Sequence, residues 1–407
     1  MRTSAGMRVL MLLENNAYPQ DGRVRREART LVGAGHQVAV IAPAHPGQAW
    51  REVIDGVRVY RYPAPPPANG LVGYLIEYGY SMVAAFILSL FVLLTDGFDV
   101  IHAHNPPDTF VLVALWYKLL GKKFVFDHHD LAPEMYYARF GGIGNPVVYR
   151  ALVWFERLTC RLADHIIAPN ESYKAVEMQR SGVEASRITV VRNGPDLARV
   201  RVVEPDAELR AMGKTIIGFA GEMGIHDGVD YFLRAAKHLR EDLGRDDFFC
   251  ILVGTGDAWD SLRQLSKQLG QEEYVRFTGY VSDEELMRYL SAADICVDPD
   301  PKNPFNDRST MNKMLEYMAL GKPIVAFDLT EHRVSAQDAA VYAQPNDELD
   351  FARHIALLMD DPQRRRSMGA SGRRRIETEL AWVHQEQRLR EAYCAIKGDL
   401  SLSHGQA

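Results

Sequence analysis

The chain has 407 residues, a length that suits two domains better than one. Its 47% apolar and 25% charged residues are typical of a soluble globular protein, and the net charge of −6 gives no general attraction for nucleic acid. The four cysteines lie far apart without zinc-ligand spacing, which favours a reducing compartment and no structural zinc. Residues 1–6 are polar and show no secretory signal, so a cytoplasmic location is expected.

The chain begins with the pattern of a strand, a helix and a second parallel strand. The apolar run 7–13 predicts the first strand, 23–34 the helix, and 37–41 the second strand. The loop at the carboxyl end of the first strand, where ligands of such sheets bind, consists of Asp21, Gly22 and Arg23. An anion site and a solvated basic helix start explain these residues equally well.

Residues 78–95 carry no charge and are just long enough to suggest a transmembrane helix. Residues 99–103 follow directly and predict the next strand of the same sheet. A span would therefore place consecutive strands on opposite sides of a bilayer. The sequence favours a helix packed in the core, then a helix that touches a membrane surface, and last a true span.

Two histidines and two aspartates, Asp127 to Asp130, follow the predicted strand 123–126. All four side chains can ligate metals, but neighbours on one strand end point in opposite directions. The pattern therefore favours one histidine that faces a ligand as a hydrogen-bond donor or acid/base group. A buried structural histidine explains the same residues equally well.

Residues 309–328 predict a helix and then a buried strand. The residues able to cap the helix start are Ser309, Thr310 and Asn312. Lys313 and Glu316 stand three apart, so they are expected to share the face opposite the methionines. Free amides at a helix start and a lysine can receive phosphate, and a carboxylate one turn later can accept from paired sugar hydroxyls. On these residues alone, a surface Lys–Glu pair on an ordinary helix is the favoured interpretation.

The second half of the chain repeats the alternation of strands and helices. The predicted strands are 215–220, 248–253, 275–277, 294–297 and 324–327. Asp298 and Asp300 match the DxD metal motif, but a three-residue match is weak and we interpret it as a loop. The two halves together predict an α/β protein with two Rossmann-like doubly wound domains that face a central cleft.

The order of these motifs resembles the retaining glycosyltransferases of family 4, which have the GT-B fold, over nearly the whole chain. The most specific piece runs from Glu316 to Pro323. The other pieces are Gly35 with His36, His129 with Asp130, Asn193 with Gly194, Gly254 with Gly256, and Phe277 with Gly279. The chain looks most similar to members that build bacterial O-antigen or exopolysaccharide repeat units.

The resemblance implies a role for each matching position. His129 would approach the transferred sugar, while Lys313 and Glu316 would hold the diphosphate and the ribose hydroxyls; these three are the expected catalytic residues. The implied donor-binding residues are Gly254, Tyr280, Val281, Arg308, Ser309, Thr310, Met311, Asn312, Lys313 and Glu316. The implied acceptor or cleft residues are Asp21, Gly22, Arg23 and Asp130.

The resemblance also implies the domains and the reaction. An acceptor-side domain would cover residues 1–203, a donor-side domain 204–380, and a helix at 381–399 would cross back to the first domain. The expected reaction is a retaining, metal-independent transfer from a nucleotide-diphosphate sugar, UDP-linked by preference, to a glycan or polyprenyl-diphosphate-linked glycan of cell-surface polysaccharide synthesis. No cofactor is expected. If residues 78–95 touch a membrane surface, the second of the three interpretations of this segment, the contact would be peripheral and on the inner face of the plasma membrane.

Two alternatives remain at this point. One is a UDP-N-acetylglucosamine 2-epimerase on the same fold, and the other is a catalytically weak sugar-nucleotide-binding assembly subunit. The second is motivated by Arg308, where many family members have a glutamate, and by Glu222 and Asp227, where many have an arginine and a lysine.

Overall fold

The computed structural model describes residues 6–65 and 70–404, so most of the polar start, on which the expectation of no secretory signal rests, lies outside the described residues. The chain forms two compact units. Unit 1 takes the residues up to 135, residues 145–192 and the chain from 385 onward. Unit 2 takes residues 136–144 and 193–384.

Unit 1 is built on an eight-stranded sheet. Its strands are β1 (Arg8–Leu12), β2 (Gln37–Pro43), β3 (Arg51–Ile54), β4 (Val57–Tyr62), β5 (Val100–His104), β6 (Lys123–Asp127), β7 (His165–Ala168) and β8 (Ile188–Val190). The order across the sheet is β3-β4-β2-β1-β5-β6-β7-β8. All neighbours are parallel except β3 and β4, and the antiparallel edge strand β3 was not predicted from the sequence.

Helices connect the strands of this sheet. They are α1 (Gly22–Gly33), α2 (Gly70–Thr95), α3 (Val111–Leu119), α4 (Ala132–Arg139), α5 (Pro146–Leu162) and α6 (Glu171–Val176). The helix α1 starts one residue earlier than the pattern 23–34 predicted, because Asp21 accepts a hydrogen bond from the Val24 amide and caps it.

Unit 2 is built on a six-stranded sheet in which all neighbours are parallel. Its strands are β9 (Thr215–Ala220), β10 (Phe248–Val253), β11 (Val275–Gly279), β12 (Ile295–Asp298), β13 (Ile324–Phe327) and β14 (Ala340–Ala343). The order is β11-β10-β9-β12-β13-β14. The remaining helices are α7 (Ala207–Ala211), α8 (Val229–Glu241), α9 (Trp259–Gln268), α10 (Asp283–Ala292), α11 (Asn312–Ala319), α12 (Thr330–Ala336), α13 (Glu348–Asp360), α14 (Pro362–Arg375) and α15 (Trp382–His404).

Alternation along the central strand β9 builds a core on each face of this sheet. Ile217 and Phe219 are fully buried in one core, together with residues of α8 and α13. Ile216 and Ala220 lie in the other core, together with residues of α10 and α11. Successive side chains of a strand point to opposite faces, so an uninterrupted apolar strand indicates a sheet covered on both sides.

The helix α2 lies largely at the surface, so the favoured prediction of a core helix is wrong. Only 22% of the most apolar part of Leu75–Thr95 is buried, and Leu94 is 85% exposed. Among the described residues this is the one helix long and apolar enough to cross a membrane. It nevertheless connects β4 and β5 of one sheet, which is the topology that argued against a span.

The exposed side chains of α2 and α3 form an apolar surface. The members on α2 are Leu75, Ile76, Tyr80, Val83, Ile87, Leu90, Phe91 and Leu94, and those on α3 are Leu112, Leu115, Trp116 and Leu119. The rings of Phe86 and Trp116 approach to 6.5 Å between centroids and join the two helices. Large exposed apolar patches are uncommon on soluble proteins and often mark interaction sites.

Candidate active site

Both sheets reverse their strand order at one point, and ligands of doubly wound sheets bind beyond the carboxyl ends of the strands there. In unit 1 the reversal lies between β1 and β5. In unit 2 it lies between β9 and β12. The side chains at these two sheet edges are therefore the candidates for ligand binding.

In unit 2, the loops after β9 and β10 approach each other through glycines. Gly254 has φ +129°, and a Cβ built on it would lie 1.9 Å from the carbonyl oxygen of Gly221. A Cβ on Gly256 would lie 2.7 Å from the backbone of Met223. Only glycine fits at either position, so the motif from 254 to 256 creates a bare backbone edge at the strand ends.

Tyr280 and Val281 follow β11 on the same side of the sheet. Tyr280 is 87% exposed, and Val281 packs partly against the core. An exposed aromatic ring next to bare backbone suits a flat heterocycle. The base-binding role implied by the resemblance stays a prediction.

The start of α11 differs from the predicted capping. Met311 occupies the N-cap and has no side-chain oxygen, while Asn312 is already the first helical residue. Ser309 donates its hydroxyl to the Phe305 carbonyl oxygen at 2.9 Å. Arg308 lies at the end of a short 3-10 helix just before this turn. The first amides of α11 therefore have no capping oxygen from the N-cap residue, which is the condition for receiving an anion.

Lys313 does not lie on the exposed face that the sequence predicted. Its side chain is 9% exposed, and its Nζ lies 2.5 Å from Asp300 Oδ1, 3.5 Å from Asp298 Oδ1 and 3.7 Å from Asp227 Oδ1. The two aspartates of the weak DxD match thus bind a lysine of the same unit. His332 joins them, with its Nε2 3.6 Å from Asp298 Oδ2.

Lys313, Asp298 and Asp300 shift one another's pKa values. Burial by itself lowers the pKa of Lys313, but Asp298, Asp300 and Asp227 raise it well above its usual value, so the ammonium stays charged. Burial raises the pKa of Asp298, but Lys313 and then His332 bring it below the ordinary range. Burial and the neighbouring charge of Asp298 raise the pKa of Asp300 well above the ordinary range. One cation therefore serves two buried carboxyl groups, and Asp300 keeps its proton more readily than Asp298.

Glu316 pairs with an arginine rather than with Lys313. Arg199 donates to Glu316 Oε1 and also lies 3.0 Å from Asp283 Oδ1. Glu316 is 21% exposed and Arg199 is 39% exposed, so the carboxylate can still be reached by a ligand. Arg199 was not identified from the sequence, because nothing in its local pattern marks it as a partner of a helix more than a hundred residues away.

Unit 1 holds a second group of polar residues at its sheet edge, here called the Asp127 network: Arg23, Glu27, His104, Asp127 and His129. Arg23 donates Nε to Asp127 Oδ2 at 2.7 Å and NH2 to Asp127 Oδ1 at 2.8 Å, and its NH2 lies 3.2 Å from Glu27 Oε1. His104 Nδ1 lies 2.9 Å from Asp127 Oδ2, and His129 Nδ1 lies 3.5 Å from the same oxygen. Arg23 therefore lies inside the protein, in the first turn of α1 and not in a loop.

A further histidine and the last helix extend this network. His102 stacks on His104 with 4.3 Å between ring centroids. Its Nδ1 lies 2.9 Å from the hydroxyl of Tyr393 on α15. His102 and His104 were missed in the sequence, although two histidines spaced by two on a strand necessarily share one face.

The electrostatics of the Asp127 network follow from the Arg23 guanidinium. Burial by itself raises the pKa of Asp127, but Arg23, then His129 and His104, holds it well below the ordinary range. Burial and the Asp127 charge raise the pKa of Glu27 well above its ordinary range against the charge of Arg23, so Glu27 keeps its proton more readily than Asp127 does. Burial lowers the pKa of His104 despite its hydrogen bond with Asp127.

The two histidines after β6 point in opposite directions, as the strand geometry predicted. His128 is fully buried and lies 2.9 Å from Glu177 Oε1. His129 faces the Asp127 network, and its side chain is 10% exposed. Asn105 fixes this turn, because its Oδ1 accepts from the amides of His129 at 2.8 Å and Asp130 at 3.1 Å.

The other expected acceptor residues have local roles in the structure. Asp21 caps α1, and Gly22 is the first residue of that helix. Burial raises the pKa of Asp130, against the charge of His129. Whether these residues contact an acceptor stays a prediction.

Two groups in the described residues have metal-ligand chemistry within 4.8 Å: Glu27, His102, His104 and Asp127, and Asp298, Asp300 and His332. Each group already contains a buried cation, Arg23 in the first and Lys313 in the second. A metal ion in either place would have to displace or repel that cation. Independence from metal stays a prediction, tested below.

Two family sequence models match the chain. "Glycosyl transferase 4-like domain" matches residues 22–194, and "Glycosyl transferases group 1" matches residues 214–361. An uncharacterized glycosyltransferase of Methanocaldococcus jannaschii is 25% identical over 82% of this chain and 83% of its own.

Solved structures share the fold. The sucrose-phosphate synthase of Thermosynechococcus elongatus matches 97% of this chain and 100% of its own with a TM-score of 0.77 and 18% identity. HepE of Anabaena, in complex with UDP and glucose, matches 96% of this chain and 100% of its own with a TM-score of 0.73 and 18% identity.

The fold and the matches define the class: this protein is a glycosyltransferase with the GT-B fold. The predicted pair of Rossmann-like doubly wound domains is confirmed. The resemblance to family 4 is confirmed at the level of the group 1 and 4-like sequence models.

Proposed function

We propose that the chain is a retaining glycosyltransferase that moves a sugar from a UDP-linked donor to a glycan or lipid-linked glycan of bacterial cell-surface polysaccharide synthesis. The observation that carries the proposal is the edge of unit 2, where the start of α11, Glu316 and the glycine loops lie together. Helix amides can hold the diphosphate, the Gly254 backbone admits a flat base, and the Glu316 carboxylate can accept from the ribose diol. The HepE structure contains UDP and glucose, which supports UDP as the first nucleotide to test.

In the proposed reaction the bond between the sugar C1 and the diphosphate oxygen breaks, and a bond from the acceptor oxygen to C1 forms on the same face. The proton of the acceptor hydroxyl goes to the departing diphosphate oxygen, so atoms and charge balance. Negative charge develops on the diphosphate, and preorganised donors aimed at it are the main means of acceleration. The amides of α11 supply such donors.

Lys313 supports this site from within. Its Nζ is bound to Asp300 at 2.5 Å and lies near Asp298 and Asp227. Asp227 in turn accepts from the Gly224 amide at 2.8 Å, so Lys313 connects the start of α11 to the loop after β9. We infer that Lys313 is a positioning residue, which holds the start of α11 against the loop after β9 so that the helix amides face the diphosphate.

The test is a calorimetric titration of the full chain with UDP, GDP, ADP and dTDP. UDP is expected to bind alone or most tightly, with equal affinity in EDTA. Glu316→Gln is expected to weaken UDP by about tenfold or more but to leave 2′,3′-dideoxy-UDP unchanged, because the lost interaction is with the ribose hydroxyls. Glu284→Gln, an exposed glutamate on α10, is the matched control and should bind as the wild type does.

An assay of donor turnover distinguishes the transferase from the epimerase and from the assembly subunit. Sugar transfer or slow donor hydrolysis with retained anomeric configuration supports the transferase. Release of UDP together with a 2-epimerised sugar, without an acceptor, supports the epimerase. Binding without turnover of any donor supports the assembly subunit, and failure of all four nucleotides to bind contradicts the whole placement of the site.

We further propose that the apolar surface of α2 and α3 rests on the membrane that holds the acceptor. Ile87 and Leu94 are 59% and 85% exposed on one helix, and the surface continues to Trp116 at 62%. Burying each such side chain in lipid is favourable by roughly 1.5–3 kcal/mol.

Liposome flotation tests the membrane contact. The wild type should float with liposomes that contain anionic lipid, and Ile87→Glu with Leu94→Glu should abolish flotation without changing UDP affinity. Leu357→Glu, a change at a 56% exposed leucine on α13, is the matched control and should float normally. Equal flotation of all three proteins contradicts the proposal.

A further inference from the structure

His129 is the most exposed member of the Asp127 network. Its side chain is 10% exposed, while Asp127, His104 and Glu27 have none and Arg23 has 5%. The Nδ1 atom of His129 is buried and faces Asp127 Oδ2 at 3.5 Å. The ring therefore has a defined inner edge that faces a carboxylate.

The carboxylate that faces this ring is held in place by three donors. Arg23 contributes two hydrogen bonds of 2.7 and 2.8 Å, one to each oxygen. His104 Nδ1 adds one of 2.9 Å to Oδ2. A bidentate arginine fixes both the orientation and the charge of a carboxylate more firmly than single contacts do. Asp127 thus stays ionised although it is fully buried.

The backbone of His129 is fixed separately. Asn105 Oδ1 accepts from the amides of His129 and Asp130, and Asn105 Nδ2 donates to the Asp130 carbonyl oxygen at 2.6 Å. The ring and the main chain of His129 are thus oriented by different elements, the ring by β6 and α1 and the main chain by the residue after β5. Such support is typical of a side chain that must present one atom accurately.

We propose that Asp127 and Arg23 are positioning residues that hold His129 as a protonated imidazole, with Nδ1 toward Asp127 and Nε2–H available to donate to a substrate oxygen. The proposal rests on the proposed function for the identity of that oxygen, which belongs to a sugar substrate bound at the sheet edge of unit 1. His129 would then donate a hydrogen bond and would not remove the acceptor proton, which agrees with transfer of that proton to the departing diphosphate.

The charged groups around His129 support this state. Burial by itself lowers the pKa of His129, but Asp127 and then Asp130 raise it above the ordinary value, against the repulsion of Arg23. His104 also faces the ring at 6.2 Å between centroids, and its own lowered pKa keeps it neutral. The net field at His129 is therefore that of the carboxylates.

The first test does not depend on turnover. Wild-type protein with isotope-labelled histidine is titrated by NMR, and His129 is assigned by the loss of its signal in His129→Asn. Both ring nitrogens of His129 are expected to carry protons at pH 7, and Asp127→Asn is expected to move its titration to lower pH. A wild-type His129 that is neutral at pH 7 overturns the proposal, even if Asp127→Asn does not fold.

The second test uses the pH profile of kcat/KM for donor turnover. Activity should fall as pH rises through the titration of His129, and Asp127→Asn should move that fall to lower pH, with Arg23→Lys between the two. His129→Asn should lose roughly 10²-fold or more in kcat at pH values below the titration of His129, and the difference from wild type should shrink as pH rises through it. Arg8→Met and Asp99→Asn remove a matched arginine–aspartate pair of the same unit, 2.8 Å apart, and should leave the profile unchanged.

The two tests distinguish a failure of the positioning role of Asp127 from a failure of the proposed function. A lower rate in Asp127→Asn with no shift of its pH profile means a merely structural role and overturns the inference. Expected NMR titrations in a protein that turns over no donor contradict the proposed function but leave the positioning of His129 intact.

Discussion

Replacing Lys313 by methionine is expected to destabilise unit 2 strongly. The substitution keeps most of the apolar stem but removes a charge that lies 2.5 Å from Asp300, 3.5 Å from Asp298 and 3.7 Å from Asp227. Removing one partner of a buried ion pair leaves an uncompensated charge, which lowers the free energy of unfolding by about 3–5 kcal/mol. For a unit of this size that corresponds to a fall in Tm of roughly 10 °C.

The loss should depend on pH with a defined sign. Without Lys313, His332 still offsets part of the effect of burial on Asp298, but the strongest offsetting charge is gone, so the pKa values of the carboxyl groups rise and the folded variant binds more protons than the unfolded chain. Stability of Lys313→Met should therefore recover as pH falls toward the range in which Asp298 and Asp300 are protonated, and the difference from wild type should be largest at pH 7 to 8. The double variant with Asp300→Asn should be more stable than Lys313→Met alone.

The assay is thermal and urea unfolding of the full chain, followed by near-ultraviolet circular dichroism at pH 5 and pH 8. Lys237→Met is the matched control, because Lys237 makes an exposed i,i+4 pair with Glu241 at 3.6 Å. Its loss should lower stability by no more than about 0.5 kcal/mol. If Lys313→Met lowers the free energy of unfolding at pH 8 by no more than Lys237→Met does, the structural role given to Lys313 is refuted.

Three further outcomes are expected. Burial lowers the pKa of His128, but the hydrogen bond to Glu177 raises it to about 9. The stabilising contribution of His128 is therefore complete below its unfolded pKa of about 6.5 and is lost as pH rises through about 9. The urea midpoints of wild type and His128→Gln should converge over that pH window. Gly254→Ala should lower Tm and abolish UDP binding, because its Cβ would meet the Gly221 carbonyl oxygen at 1.9 Å, and unchanged calorimetry would contradict the close approach. Arg199→Met should weaken UDP binding less than Glu316→Gln does, because it removes a partly exposed partner of the Glu316 carboxylate and leaves the carboxylate in place. Calorimetric titration of the two variants with UDP measures the difference.

The sequence correctly indicated the elements that repeat locally. The strand predicted at 324–327 is β13, and the strand at 215–220 is β9, because apolar runs between glycine and proline signals record burial on both faces of a sheet. The opposite directions of His128 and His129 also followed from the period of a strand. The family resemblance was carried by the glycine loops and by the segment from Glu316 to Pro323, where backbone geometry restricts the residue types.

The partners of the charged residues could not be predicted in this way. Lys313 was expected on an exposed face, but α11 turns it toward aspartates at the end of β12 and after β9. The helix α2 was expected in the core, yet its apolar residues point largely to solvent, since hydropathy records composition and not which elements cover a helix.

The sequence by itself determined the alternation of strands and helices, the glycine turns and the class of transferase, because each rests on patterns a few residues long. Only the tertiary structure decided that Arg23 meets Asp127, 104 residues away, and that Lys313 meets Asp300. These contacts depend on the order of the strands and on the paths of the loops, which bring together the carboxyl ends of strands that are distant in the chain.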